Sequence, residues 1–128
     1  MSALTKSAVR LGSLLALALF AAACANDAGL SEQSDGFKAL SAHDYAKARD
    51  IFTALNAKDP HNPVIELNLA ASYQNLGRMD LAEPVYRNVL VDGKGVSAGD
   101  TTNSKDSGKT LADIACTNLR LANSQASC

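Results

Sequence analysis

The stretch Pro63–Leu90, PVIELNLAASYQNLGRMDLAEPVYRNVL, decides how this chain is read. Its apolar residues recur at helical spacing on both sides of Gly77, which predicts two amphipathic helices joined by a glycine turn. Gly29–Asn62 has the same layout 34 positions earlier. At that offset Gly36 falls on Ala70, Ala39 on Tyr73, Tyr45 on Met79 and Ala48 on Ala82. Ile51 falls on Val85, Phe52 on Tyr86 and Leu55 on Val89. The spacing predicts helices near Glu32–Ala42, Tyr45–Lys58, Pro63–Leu76 and Asp80–Val91, with tight turns at His43-Asp44 and Gly77-Arg78.

The residue types carry physical meaning. Gly36 and Ala70 suit a place where two helices of a hairpin approach closely, and Ala48 and Ala82 do the same from the second helix. Phe52 and Tyr86 are large enough to fill the wedge between successive hairpins. Pro60 ends a helix, because proline lacks the N–H and pushes the residue before it out of the α region. Pro63 suits a first helical turn. Pro84 departs from the pattern, since it falls inside the fourth helix about one turn in. A mid-helix proline costs about 3 kcal/mol, so this helix is expected to start late or to bend. The alternatives are a proline tolerated near a helix start and a functional kink.

The period of 34, with small residues at 36/70 and 48/82, aromatics at 52/86 and Pro60 at the end of the first copy, resembles the tetratricopeptide repeat. The resemblance implies an all-α fold: two helical hairpins over 31–91 and a C-terminal capping helix, a fragment of a right-handed α-solenoid. A generic four-helix bundle is the alternative.

Composition agrees with close-packed helices. The chain has 128 residues, 47% of them hydrophobic and 5% aromatic, with no tryptophan, so there is room for one small domain without a large aromatic core. A net charge of −1 gives no electrostatic footprint for nucleic acid.

The first segment reads as an address. Met1–Arg10 carries Lys6 and Arg10 and no acid, Leu11–Phe20 is apolar, and Ala21, Ala22 and Ala23 lead into Cys24. The apolar run is short of the ~20 residues a spanning helix needs. Ala22, Ala23 and Cys24 resemble the lipobox of bacterial lipoproteins, although that family usually has leucine where Ala21 stands. The resemblance implies a signal over 1–23, lipidation of Cys24, and a lipidated N-terminus and short spacer over 24–30. A plain secretory signal is the alternative. Ala25, in place of aspartate, resembles the outer-membrane address of enteric-type lipoproteins. Several acyl chains, each contributing about 0.8 kcal/mol per buried CH₂, make such an anchor effectively permanent.

Residues 92–109 are rich in Gly, Ser, Thr, Asp and Lys, and read as a flexible loop or a functional one. Gly108-Lys109-Thr110 matches the end of a phosphate-binding loop, but Asn103 stands where that motif needs glycine. From Leu111, the residues Leu111, Ile114, Ala115, Asn118 and Leu119 recur at helical spacing, and 110–128 reads as a capping helix and tail that covers the open side of the second hairpin. With Cys24 lipidated, Cys116 and Cys128 remain. Their separation of 12 permits a disulfide; two free thiols are the alternative.

Neither His43 nor His61 is at ligand spacing from a cysteine, so no metal and no cofactor is expected. No nucleophile elbow and no pair of carboxylates with a positioned histidine appears, so no enzyme is expected. In tetratricopeptide proteins the first helices of successive repeats line a concave groove. The matching positions are Gln33, Phe37, Leu40, Asn68, Ala71, Gln74 and Asn75, which suggest a neutral, amide-rich groove for an extended peptide or a partner helix; simple solvation is the alternative. Gln33 and Phe37 replace the basic residues that clamp a C-terminal carboxylate. Lipoproteins with this repeat resemble pilotins and assembly factors of pili and secretion systems. The resemblance implies an adaptor anchored at the outer membrane and facing the periplasm, holding a secretin or pilus subunit. A self-associating structural lipoprotein with no peptide ligand is the other reading.

Overall fold

The computed structural model describes residues 29–99 and 106–128. The apolar run Leu11–Phe20, the small-residue run before Cys24 and Cys24 itself lie outside them. The chain divides into two units, Met1–Glu32 and Gln33–Cys128. Of the first, residues 29–32 are described and are helical. The second carries the fold.

Helix α1 is residues 29–41, so residues 29 and 30 are helical where a spacer was expected. It is followed by α2 (Tyr45–Lys58), α3 (Pro63–Asn75), α4 (Met79–Asp92) and α5 (Leu111–Ala122). Each helix from α2 to α5 packs on the next. The described residues form an all-α stack of two hairpins closed by a cap, and the only β feature among them is an isolated bridge between Ser97 and Thr110. No helix among the described residues is long and apolar enough to cross a membrane.

Both hairpin turns close the same way. His43 N–H donates to the Leu40 carbonyl at 3.0 Å and Asp44 N–H to that of Ala39 at 2.9 Å. Gly77 N–H donates to the Gln74 carbonyl at 3.0 Å and Arg78 N–H to that of Tyr73 at 2.9 Å. These paired bonds are the Schellman ending, which needs a left-handed residue just past the helix. His43 (φ 60°) and Gly77 (φ 73°) supply it, 34 positions apart. Helix starts are also specified locally. Asp44 caps α2 by accepting from Lys47 N–H, Asn62 caps α3 by accepting from Val64 and Ile65 N–H, and Pro63 follows as the first helical residue.

Pro84 neither delays nor breaks α4, which starts at Met79. Asp80 and Pro84 are both exposed, so the carbonyl that loses its donor lies toward water.

The core has two layers. The first joins Ala39, Ala48, Phe52 and Leu55 to Ile65 and Leu69. The second joins Ala70, Ala82, Tyr86 and Val89 to Leu111, Ile114, Ala115 and Leu119 of the cap. Tyr73 touches both. Covering the second layer buries Leu111 and Leu119 almost completely, worth about 1.5–3 kcal/mol for each such side chain.

The segment 92–109, expected to be flexible or functional, has backbone hydrogen bonds at its described ends. Leu111 N–H donates to the Val96 carbonyl at 2.9 Å and Ala98 N–H to that of Lys109 at 3.0 Å, so its two arms are tied together. Gly93 is buried, and a Cβ there would lie 2.6 Å from the Val89 carbonyl oxygen and 3.0 Å from Ala112 N. The absent side chain lets α5 start against the end of α4. Thr110 and Asp113 then form a capping box that fixes that start. Hydrogen bonds from the Thr110 hydroxyl and backbone N–H hold the Asp113 carboxyl below its ordinary range. Cys116 and Cys128 are joined by a disulfide with Cα atoms 5.8 Å apart, which ties the tail back to the cap.

Candidate functional site

The repeat brings one face of α1 beside one face of α3. On α1, Phe37, Leu40 and Ser41 stand at i, i+3 and i+4; on α3, Val64, Leu67 and Asn68 do the same. The tied arms of the following loop add Ser97 and Ala98, and the cap adds Leu111 and Ile114. Together they line a concavity of about 400 Å³. None of these side chains is ionisable. The wall is apolar, with hydroxyls of Ser41 and Ser97 and the amide of Asn68 at intervals. Such a surface binds by burying apolar groups and placing a few hydrogen bonds.

Phe37 is 40% exposed and sets its ring edge-on to Phe52, with centroids 5.7 Å apart and planes at 62°. The deep layer thus fixes one side of an exposed aromatic. On the other wall, Asn68 Nδ2 donates to the Val64 carbonyl at 2.7 Å, which holds the amide along its own helix.

The expected groove residues part company here. Phe37, Leu40 and Asn68 line the concavity; Gln33, Ala71, Gln74 and Asn75 do not. Gln74 Oε1 accepts from the Tyr86 hydroxyl at 2.6 Å, and the Tyr86 oxygen accepts from Asn118 Nδ2 at 3.2 Å, so Gln74 joins a network reaching α5. Burial pushes the Tyr86 hydroxyl well above its ordinary pKa, the Asn118 amide opposing. Asn75 Nδ2 donates to the Ala71 carbonyl at 2.8 Å. Ser41, Val64, Leu67, Ser97, Ala98, Leu111 and Ile114 were not expected in the groove. The i, i+3, i+4 match between 37/40/41 and 64/67/68 was available in the sequence, whereas the return of the loop was not.

A second grouping lies at the other side of α3. His61, Glu66 and Asp92 present ligand atoms that all lie within 4.8 Å of one another. Glu66 is only 3% exposed, and Asn88 Nδ2 donates to its Oε1 at 3.2 Å. Burial raises the pKa of its carboxyl, the Asn88 bond opposing and Asp92 adding to the rise. Reading His61 only against the cysteines hid this arrangement.

Residues 39–93, which span the end of α1, all of α2–α4 and both Schellman turns, match the family model of the tetratricopeptide repeat. That repeat is a scaffold for protein–protein interaction. No curated protein and no solved structure matches the chain.

Proposed function

We propose that this chain is a membrane-anchored adaptor that grips a protein partner in the concavity between α1, α3 and α5. The observation that carries the reading is an uncharged apolar trough on the first helices of both hairpins, ending against the cap. A partner helix or extended segment with apolar side chains three or four positions apart fits it, its backbone or side-chain amides meeting Ser41, Asn68 and Ser97. Lipidated Cys24 holds the adaptor at the outer membrane, facing the periplasm. The Cys116–Cys128 disulfide supports an oxidising compartment. The partner is a secretin or pilus component, and the work is assembly of a pilus or secretion system.

A photoreactive residue at Ser41, in the full chain in its own bacterium, is expected to crosslink to a secretin or pilus subunit. The crosslink should fall sharply when Phe37→Ala and Leu40→Ala are added. Labelled fatty acid should enter the chain and be lost with Cys24→Ser. A crosslink that survives both groove substitutions would remove the trough from the reading. A crosslink to a second copy of this chain alone would favour a self-associating structural role instead.

A further inference from the structure

Three separate pieces of chain meet at the edge between the two hairpins. His61 comes from the α2–α3 connection, Glu66 from the start of α3, and Asp92 is the last residue of α4. His61 Nδ1 and Asp92 Oδ2 are 3.2 Å apart. Glu66 is buried, and while its Oε1 accepts from Asn88, its Oε2 is buried with no partner. A carboxylate oxygen shielded from water and left without a donor is costly. Asp92 places a second carboxylate beside it, which makes the cost greater. Asp92 Oδ2 already faces His61 Nδ1, and an ion held by these two and by Glu66 would give the buried oxygen the partner it lacks.

From this geometry we infer that His61, Glu66 and Asp92 bind a divalent transition metal of the zinc class. Tetrahedral bonds of about 2.1 Å separate ligand atoms by roughly 3.4 Å. The His61–Asp92 spacing of 3.2 Å is already there, and all three ligand atoms lie within 4.8 Å, so small side-chain rotations close the site. One imidazole with two carboxylates suits zinc and its neighbours. Calcium wants six to eight oxygens and magnesium an octahedron of them, so neither fits an imidazole-bearing site of three ligands. The final carbonyls of α4 carry partial negative charge and favour a cation beside Asp92. The His61 side chain is 77% exposed and that of Asp92 29%, which leaves the outer face open for entry and for a water ligand. Asn88 orients the buried carboxylate, as an outer partner of a metal ligand does. The bound ion clips the connection between the hairpins to the end of the second one. It sits apart from the trough and does not depend on the partner reading.

The test uses the full chain, chelator-treated, with Cys24→Ser throughout so that a free thiol does not compete. Calorimetric titration with zinc chloride is expected to show one equivalent bound. At zinc a hundredfold above the dissociation constant, the thermal midpoint should rise by roughly 10 °C. Glu66→Gln and His61→Ala should each weaken binding at least tenfold, while His43→Ala leaves it unchanged. His61 is a surface side chain, so its variant should keep the far-ultraviolet spectrum of the parent, and its loss of zinc cannot be loss of fold. No saturable binding, or equal binding by the parent and Glu66→Gln, overturns the assignment.

Discussion

A Cβ built on Gly36 would lie 2.7 Å from Cζ of Phe52, and the Phe52 ring is fully buried. Glycine at this point in α1 is therefore set by space, and the ring it admits is the floor on which Phe37 rests. In an exposed helix, Gly→Ala stabilises by about 1 kcal/mol. Here overpacking, typically 1–3 kcal/mol, opposes and should win, because the ring has no free side to move into. Gly36→Ala is expected to lower stability by about 1 kcal/mol in urea unfolding. A gain in stability would show that the ring yields more easily than its burial suggests.

His43 stands in a left-handed turn that Gly77 fills in the other hairpin. Its Nδ1 and the Tyr45 hydroxyl are 2.7 Å apart, but both ends of that bond are exposed and it offsets little. A non-glycine residue in this region costs about 1–2 kcal/mol, and glycine avoids that cost at some loss of unfolded-state restriction. His43→Gly should stabilise the domain by up to about 1 kcal/mol. Gly77→Ala should destabilise it by a similar amount. Opposite signs for these two equivalent positions, read from thermal midpoints, are the check.

Much of this fold was legible because the repeat writes each local signal twice. Turns at 43–44 and 77–78, small residues at Ala48 and Ala82, and aromatics at Phe52 and Tyr86 all recur at one offset, and each has a local steric cause. The trough was only half legible. Stepping by the repeat marks Ala71 and Gln74 as equivalents of Phe37 and Leu40, yet the concavity takes Val64, Leu67 and Asn68. Which turn of α3 faces which turn of α1 depends on how the hairpins settle against the cap. Gly93 reads as a loop glycine, and its packing role appears only once α5 returns to it. Glu66 stands in the first turn of α3, where carboxylates are favoured by the helix dipole. Its burial comes from the far end of α4, which no local pattern encodes.

The cap depends on its tail. Ala126 packs against the second core layer, and the Cys116–Cys128 bond holds it there. A closed loop of this length contributes on the order of 3 kcal/mol in the chain-entropy view. Cys128→Ser should therefore lower stability by about 2–4 kcal/mol. Because α5 brings Leu111 and Ile114 onto Tyr86 and Val89 of α4, and Asn118 onto the Tyr86 hydroxyl, hydrogen exchange should rise first in α5 and in the second half of α4. A loss spread evenly over all helices would mean the cap is not a separable layer.

Glu66 gives the domain a pH dependence of unusual sign. Its pKa is raised in the folded state by burial, against the Asn88 bond and with help from Asp92. A raised folded-state value means the native protein holds this proton more tightly than the unfolded chain does. The resulting stability is fully present below the unfolded carboxylate value, about 4.3, and is lost as pH rises through the higher folded value. Most paired carboxylates behave the other way. Glu66→Gln keeps an oxygen that can accept from Asn88 and removes the ionisation. In metal-free buffer the variant should be more stable than the parent at pH 7, and the gap should close as pH is lowered toward 4. Urea unfolding of both proteins across that range measures it, the His61 charge opposing the rise that burial and Asp92 produce. A gap independent of pH would show that the Glu66 carboxyl titrates alike in the folded and unfolded chain.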